Sequence, residues 1–457
     1  MGIVSVMSSR ECGLQILPAQ TRKVVAFDSW TEGAGNIERL VSAFKAKGFE
    51  LLLIHVGSWG HDLDRPLEER IGDLLVRDIR YYKGLPFSGI LMEERPDAVL
   101  FLSTQSFIHR AFNRYCRELN VPTLHLYHGV VGVQRTASAR LNPLNIHSQI
   151  SLVISRAAKN LVRTWPTYFK ALWQTRASIR DWLWFVHDVW RQVSGRAYSG
   201  AAAPDASTTA CCVYTNADIS HAKTRYRIPV NSIFPVGNPD LTKFGLLETD
   251  IGCGLNERTV TNNVIYIDTA LIEAGAVFND AQDFVGHLRQ TADALSKQGY
   301  RLAVKLHPVH YRNGVADLLA RAGIEICANE DFVPRLKTAA AAIVEPSSAA
   351  LIPALLGLPL LLARHGKLAA QEYGDLLIAY PRGRSITSLD DFRSIIEHTV
   401  GRADVNEIRA WIDENSGPLP PDRMPERVVQ VAVLITERCN ANVRIASAPL
   451  TEGIHSE

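Results

Sequence analysis

The chain reads as an α/β protein of two parallel-sheet domains, and three observations carry that reading. Short apolar runs alternate with amphipathic stretches along most of the 457 residues. The runs are rich in Val, Ile and Leu and lack polar alternation, as strands covered on both faces do. The length allows two or three domains, each able to bury its own core.

Taken in order, residues 23–28 read as the first strand after a tail, residues 1–22. Residues 37–47 read as an amphipathic helix stopped by Gly48, and 51–56 as a second strand. Residues 96–102 form a third strand, 107–118 a helix and 122–127 a fourth strand. The alternation breaks at residues 157–196. This helical stretch holds Trp165, Trp173, Trp182, Trp184 and Trp190, and seven Lys and Arg residues against Asp181 and Asp188. The small-residue run 199–207 reads as a linker or flexible loop. Residues 211–216 resume the pattern, 220–226 read as a short helix, and 233–239 as a strand entering a Val-Gly-Asn-Pro turn.

A crossing segment, 240–263, leads to a second domain. It opens with the strand 263–268, then a helix over 280–297, a strand over 300–305 and a further βα unit. A strand over 339–344, a helix from Ser348, a Gly357-Leu358-Pro359 turn and a strand over 359–363 follow. Residues 389–437 read as helices that cross back onto the first domain. The expected division is a tail (1–22), an N-terminal domain (23–245) with a helical insertion and linker (157–207), a C-terminal domain (258–400), and crossing helices with a tail (401–457).

Hydrophobic residues make up 47% and charged residues 21%, ordinary values for a soluble globular protein. A formal net charge of +2 argues against a nucleic-acid partner. The seven cysteines are odd in number and none forms a Cys-x-x-Cys pair. Neither a disulfide framework nor a structural zinc site is expected, and a reducing compartment is. Arg10, Glu11 and Gln15 interrupt the first apolar stretch before a signal-peptide core forms, and no uncharged apolar run reaches 18 residues. A cytoplasmic protein is expected. Peripheral contact with the inner membrane is open through residues 157–196, where Trp and Arg suit an anionic bilayer surface. The alternative is that these helices pack on the domain and bury their tryptophans.

Two stretches at strand ends carry the chemistry, Lys305-Leu306-His307-Pro308 and Glu345-Pro346-Ser347-Ser348. In an open α/β sheet, ligands bind outside the carboxyl ends of the strands. A histidine, two hydroxyls and a helix start at one such edge suit a nucleoside and its phosphate. His307 can donate to a phosphate or to charge developing on a leaving group. Lys305, His307, Pro308, Glu345, Ser347 and Ser348 are the expected nucleotide-binding set. Asp268, ending the strand 263–268, suits a nucleophile, a base or a ribose ligand, and equally an N-cap. His128 ends a strand just before Gly129, whose turn exposes it, and suits a general base on an acceptor hydroxyl. His125 alternates inward and is expected in the core. Glu32, in the loop Thr31-Glu32-Gly33-Ala34-Gly35-Asn36, is a second candidate base. Arg364-His365-Gly366-Lys367 reads as a solvated basic turn. No Asp-x-Asp pair falls at a strand end, so metal independence is expected.

On these residues the chain resembles the bacterial GT-B glycosyltransferases with His-Pro and Ser-Ser motifs. That group includes the β-Kdo (3-deoxy-manno-octulosonic acid) transferases of capsule and lipopolysaccharide O-antigen synthesis, polysialyltransferases and teichoic-acid polymerases. The resemblance covers about residues 23–150 and 210–400 and is specific over the second domain. It implies two Rossmann-like domains facing a cleft, a CMP- or CDP-linked donor with no further cofactor, and a glycan or lipid-linked glycan acceptor. It implies that His307, Ser347 and Ser348 hold the CMP phosphate and ribose. Tyr127-His128-Gly129 is similar to the Trp-His-Gly segment of teichoic-acid polymerases, whose His acts as base. Asp268 is placed like the Asp nucleophile of retaining β-Kdo transferases. Polysialyltransferases carry an Asp-Glu-Gly base motif; here only Glu32-Gly33 occurs, and no glutamate lies between Glu118 and Glu248. The implied activity is transfer of Kdo from CMP-Kdo to a bacterial surface polysaccharide. The alternatives are a CDP-polyol phosphotransferase using His128 and His307, a UDP-sugar 2-epimerase, and a non-catalytic glycan-assembly protein.

Overall fold

A computed structural model gives the fold and describes residues 22–28, 33–59, 63–132, 160–193, 201–256, 258–272 and 277–447. The first domain runs β1 (Arg22–Asp28), α1 (Ala34–Glu38), α2 (Val41–Ala46), β2 (Phe49–His55), β3 (Glu68–Ile71), β4 (Leu74–Asp78), α3 (Phe87–Glu94), β5 (Ala98–Phe101), α4 (Phe107–Glu118), β6 (Thr123–Leu126), α5 (Trp165–Gln174), α6 (Ile179–Val193), β7 (Ala210–Val213), α7 (Asp218–Tyr226) and β8 (Ile233–Pro235). The second runs β9 (Asn263–Ile267), α8 (Ala281–Ser296), β10 (Arg301–Lys305), α9 (Pro308–Arg312), α10 (Val315–Arg321), β11 (Glu325–Ile326), α11 (Phe332–Thr338), β12 (Ala341–Val344), α12 (Leu351–Leu355), β13 (Leu360–Ala363), α13 (Asp375–Ile378) and β14 (Gly383–Ile386). Three helices close the described chain: α14 (Phe392–Arg402), α15 (Val405–Asn415) and α16 (Met424–Ser447).

The strand orders are β3-β4-β2-β1-β5-β6-β7-β8 and β11-β10-β9-β12-β13-β14. Every described pairing is parallel except that of β3 with β4. The chain is therefore two doubly wound α/β domains, the Rossmann-like architecture expected from the sequence. Each order reverses once, between β1 and β5 and between β9 and β12. Such switch points open the crevice where α/β sheets bind ligands.

β1 shows why apolar runs form central strands here. Val24, Val25, Ala26, Phe27 and Asp28 are all buried between β2 and β5. Val24 and Ala26 face a core shared with Ile37, Leu40, Phe44 and the α16 residues Val428 and Ala432. Val25 and Phe27 face the opposite core with Ile90 and Phe112, and the Phe27 and Phe112 rings stack at 4.1 Å. Both faces are covered, so polar residues have no place along the strand. Edge strands escape that constraint. β3 alternates exposed and half-buried positions, and its residues carry no apolar run to mark a strand.

Two local readings differ from the structure, and a third gains detail. The helix expected over 37–47 is two short helices, α1 and α2. The helical reading of 157–196 holds over its described part, residues 160–193, which is a hairpin of α5 and α6 broken where Arg176 takes φ +47. The described part of the 199–207 run is packed, not a free linker. Ala202, Ala203, Asp205 and Ala206 are buried there, and Asp205 accepts from the buried Arg110 at 2.7 Å. At the far end, α16 lies on the first sheet, and Arg427 donates to the Val236 carbonyl at 3.0 Å.

Candidate functional site

β9, β10 and β12 end together at the second switch point. Asp268, just past β9, accepts from the backbone N–H of Ala270 (2.7 Å) and of His307 (2.9 Å). Its Oδ2 also lies 2.6 Å from Nδ1 of His310, and neither side chain of that pair is exposed. Ala270 sits at φ +62, a left-handed conformation that costs an L-residue roughly 1–2 kcal/mol. The Asp268 cap holds it there. Asp268 thus fastens the loop that carries His307 to the end of β9.

Glu345 is equally internal. It accepts from the Tyr266 hydroxyl at 2.7 Å and from the Thr269 N–H and hydroxyl at 2.8 and 3.0 Å. Burial, and then the Asp268 charge, push its carboxyl up to about 8. Lys305 is buried as well. Its ammonium donates to the Leu306 carbonyl at 3.0 Å and lies 5.4 Å from the Phe244 ring and 5.8 Å from that of Phe332. Burial lowers its pKa.

His307, Pro308 and Ser348 are the exposed members of the set. The His307 Nδ1 accepts the Val309 N–H at 3.3 Å, capping α9. A nitrogen that accepts carries no proton, so the neutral ring holds its proton on Nε2, a donor suited to an anion. Ser347 caps the next turn by accepting from the Ala349 N–H at 3.2 Å. Its hydroxyl therefore serves the backbone, and Ser348 is the outward serine.

The first-domain edge is arranged in the opposite sense. His128 is exposed, and its Nδ1 lies 3.0 Å from the carbonyl oxygen of Leu102, which follows β5 at the first switch point. A carbonyl only accepts, so in the neutral ring Nδ1 carries the proton and Nε2 keeps its lone pair. The turn after His128 is anchored by Asp218, which accepts from the Val131 N–H (3.2 Å) and from the Thr215 N–H and hydroxyl (3.2 and 3.1 Å). Burial raises the Asp218 carboxyl to about 6. His125 is buried in the core, where desolvation lowers its pKa to about 3. Glu32 lies outside the described residues.

The two edges meet. The Gly132 carbonyl accepts from the Leu376 N–H at 3.1 Å, and Val130 packs against the cores of both domains. Gly132 sits at φ +85, and a Cβ there would lie 3.3 Å from Leu376. Three residues before Leu376, the Tyr373 hydroxyl lies 2.7 Å from the Val344 carbonyl at the end of β12 and 2.8 Å from that of Ala363. The His128 turn is thereby docked beside the strand end that leads into Glu345, Ser347 and Ser348.

Of the sequence-derived residues, the structure gathers Asp268, His307, Pro308, Glu345, Ser347 and Ser348 at one edge and His128 at the facing one. It turns Lys305, Glu345 and Asp268 inward. The residues that hold these groups, His310, Asp218, Thr269 and Tyr373, did not stand out. Two had signals: Thr215-Asn216-Ala217-Asp218 has capping-box spacing, and His310 follows the Pro308 helix start. The Arg364–Lys367 turn is packed on α8. The His365 ring stacks on His287 at 5.1 Å, and Lys367 pairs with Asp283. Among the described residues no group of three or more His, Cys, Asp or Glu is placed to hold a metal ion.

No known family and no curated protein matches the chain. Solved structures do. The wall teichoic acid polymerase TagF matches with a TM-score of 0.44 and 10% identity, over 92% of this chain and 90% of that one. The UDP-GlcNAc 2-epimerase from Methanocaldococcus jannaschii matches at 0.40 and 11%, over 90% and 99%. An S. aureus MnaA–UDP structure matches at 0.41 and 11%, over 89% and 95%. At such identities and scores no activity follows for this chain.

Proposed function

We propose that this protein is a glycosyltransferase that moves a sugar from a nucleotide-activated donor in one displacement, with His128 as the base. The observation that carries the reading is the pair of exposed histidines on docked sheet edges with opposite tautomers, His128 an acceptor at Nε2 and His307 a donor. An acceptor hydroxyl gives its proton to Nε2 of His128 as its oxygen bonds the anomeric carbon. The bond from that carbon to the nucleotide phosphate breaks, and the departing phosphate takes the electron pair. His307 and Ser348 meet its charge. Asp268 is assigned to positioning. As a nucleophile it would have to leave two backbone N–H groups and His310 unpaired in a buried place, which costs several kcal/mol.

The donor follows the family resemblance: CMP-Kdo, with a glycan or lipid-linked glycan of capsule or O-antigen type as acceptor. A CDP-polyol phosphotransferase is the second reading, favoured by the same His128 and His307 geometry, which serves attack at phosphorus equally well. Thermal stabilisation by CMP, CDP, UDP and ADP is the first test, and CMP should stabilise most. Turnover of CMP-Kdo but not CDP-glycerol supports the first reading, and the reverse supports the second. Stabilisation by UDP, with a UDP-sugar converted to its C2 epimer and no acceptor glycosylated, would replace both with an epimerase.

A further inference from the structure

The α5–α6 hairpin has two unlike faces. Inward, Tyr168 and Leu172 of α5 and Phe185 of α6 pack on the domain, and the Phe107 ring lies 5.0 Å from Tyr168 and 5.4 Å from Phe185. Both acids of the hairpin also turn inward. Arg110 donates to Asp188 at 2.6 Å, and Arg114 lies 3.4 Å from Asp181. The arginines of α4 therefore neutralise the only acids that residues 160–193 contain.

Outward, Ile179, Leu183, Val186 and Trp190 follow each other at helical spacing on α6, and they are 80%, 65%, 64% and 51% exposed. On α5, Phe169 is 50% and Trp173 74% exposed. The Phe169 ring meets Trp182 at 5.0 Å, so the two exposed faces adjoin. Lys170, Arg176 and Arg180 are exposed on the same hairpin, whereas Arg163 donates to the Ser58 carbonyl at 3.4 Å. Residues 119–180 hold no Asp or Glu at all, and Glu118 lines a hollow together with Trp173.

A surface helix ordinarily turns its polar face to water, and an apolar stripe of this extent marks a contact surface. Charge decides the occupant. A second copy would bring the same basic rim against itself, with no acids on the hairpin surface to meet it. An anionic bilayer meets both demands: the acyl boundary takes the apolar stripe, and the phosphates take the Arg and Lys side chains. Tryptophan, apolar in body with one N–H, suits that boundary. With 15 residues α6 is about 22 Å long, short of the roughly 30 Å hydrocarbon core, so it lies in the membrane plane. No helix among the described residues is long and apolar enough to cross.

We propose that the α5–α6 hairpin docks this protein on an anionic lipid bilayer. Ile179, Leu183, Val186 and Trp190 enter the interface, and Lys170, Arg176 and Arg180 contact headgroup phosphates. The test is flotation of the full chain with vesicles of phosphatidylcholine alone or mixed with phosphatidylglycerol, in low and high salt. The protein should float with the mixed vesicles, less so in high salt, and stay behind with phosphatidylcholine alone. Leu183→Glu with Trp190→Glu should lower binding at least tenfold, and Arg176→Gln with Arg180→Gln should do the same, each with an unchanged melting temperature because the sites are exposed. Failure of the wild type to float with mixed vesicles would overturn the proposal. So would undiminished flotation of the Glu variant, or a wild-type dimer that either variant converts to monomer. Flotation is read without turnover, so its outcome is independent of the donor.

Discussion

The two facing sheet edges hold similar residues and use them differently. On the first-domain edge, His128 is the exposed group, and the acid beside it, Asp218, is buried behind the turn as an anchor. On the second-domain edge, both acids, Asp268 and Glu345, are buried and hydrogen-bonded to their own loops, leaving His307 and Ser348 outward. Neither edge presents a carboxylate among the described candidates. The lesson is that these strand-end acids shape loops, and the groups left exposed at both edges are histidines, with protons on opposite nitrogens in their neutral rings.

The largest expected effect comes from breaking that division at His128. His128→Ala should lower kcat by roughly 10²–10⁴-fold, the range for loss of a general base. CMP should still stabilise the variant by the same increment in a thermal melt. His307→Ala should lower kcat by roughly 10²–10³-fold, as loss of one donor to developing charge does, and should also remove most of the CMP stabilisation. If both variants kept full CMP stabilisation, the assignment of the second edge to the nucleotide would fail.

Asp268→Asn sharpens the comparison. It keeps an acceptor for the loop but loses the charge that faces His310. Stability should fall by roughly 1–3 kcal/mol by urea denaturation, with a smaller kcat loss than His128→Ala gives. A near-total loss of activity at unchanged stability would move Asp268 from positioning to chemistry.

The smallest effect concerns Glu345. Its folded-state carboxyl titrates at about 8, above the ordinary value of 4.5, so the folded chain binds this proton more tightly than the unfolded chain. Its contribution is full below about 4.5 and is lost as pH rises through about 8. Glu345→Gln should flatten that part of the melting-temperature profile, with the amide oxygen turned to Thr269 and the NH2 donating to Tyr266. An unchanged slope would mean that another group titrates.

The fold was legible because buried parallel strands must be apolar on both faces, as β1 and β12 are. The strand-end motifs were legible because His307-Pro308 and Ser347-Ser348 interrupt such runs abruptly. What was not legible is direction. Lys305 and Asp268 sit one residue either side of a strand end, and the sequence alone does not say whether such a side chain reaches out or folds back. Asp268 folds back because His310, the His307 N–H and the Ala270 N–H converge on it, and those partners come from a helix and a loop without strong patterns. The hairpin was hidden for the converse reason. Its periodicity marks two faces, and the pairing of Asp188 and Asp181 with Arg110 and Arg114 of α4 shows which one is inward.

The division between the two edges is tested most directly by the anomeric configuration of the first-turnover product relative to the donor, read by NMR. A single displacement with His128 as base inverts that centre, and inversion is the expected result. Retention would require a covalent intermediate, return Asp268 to the role of nucleophile, and contradict the assignment of the second edge to binding alone.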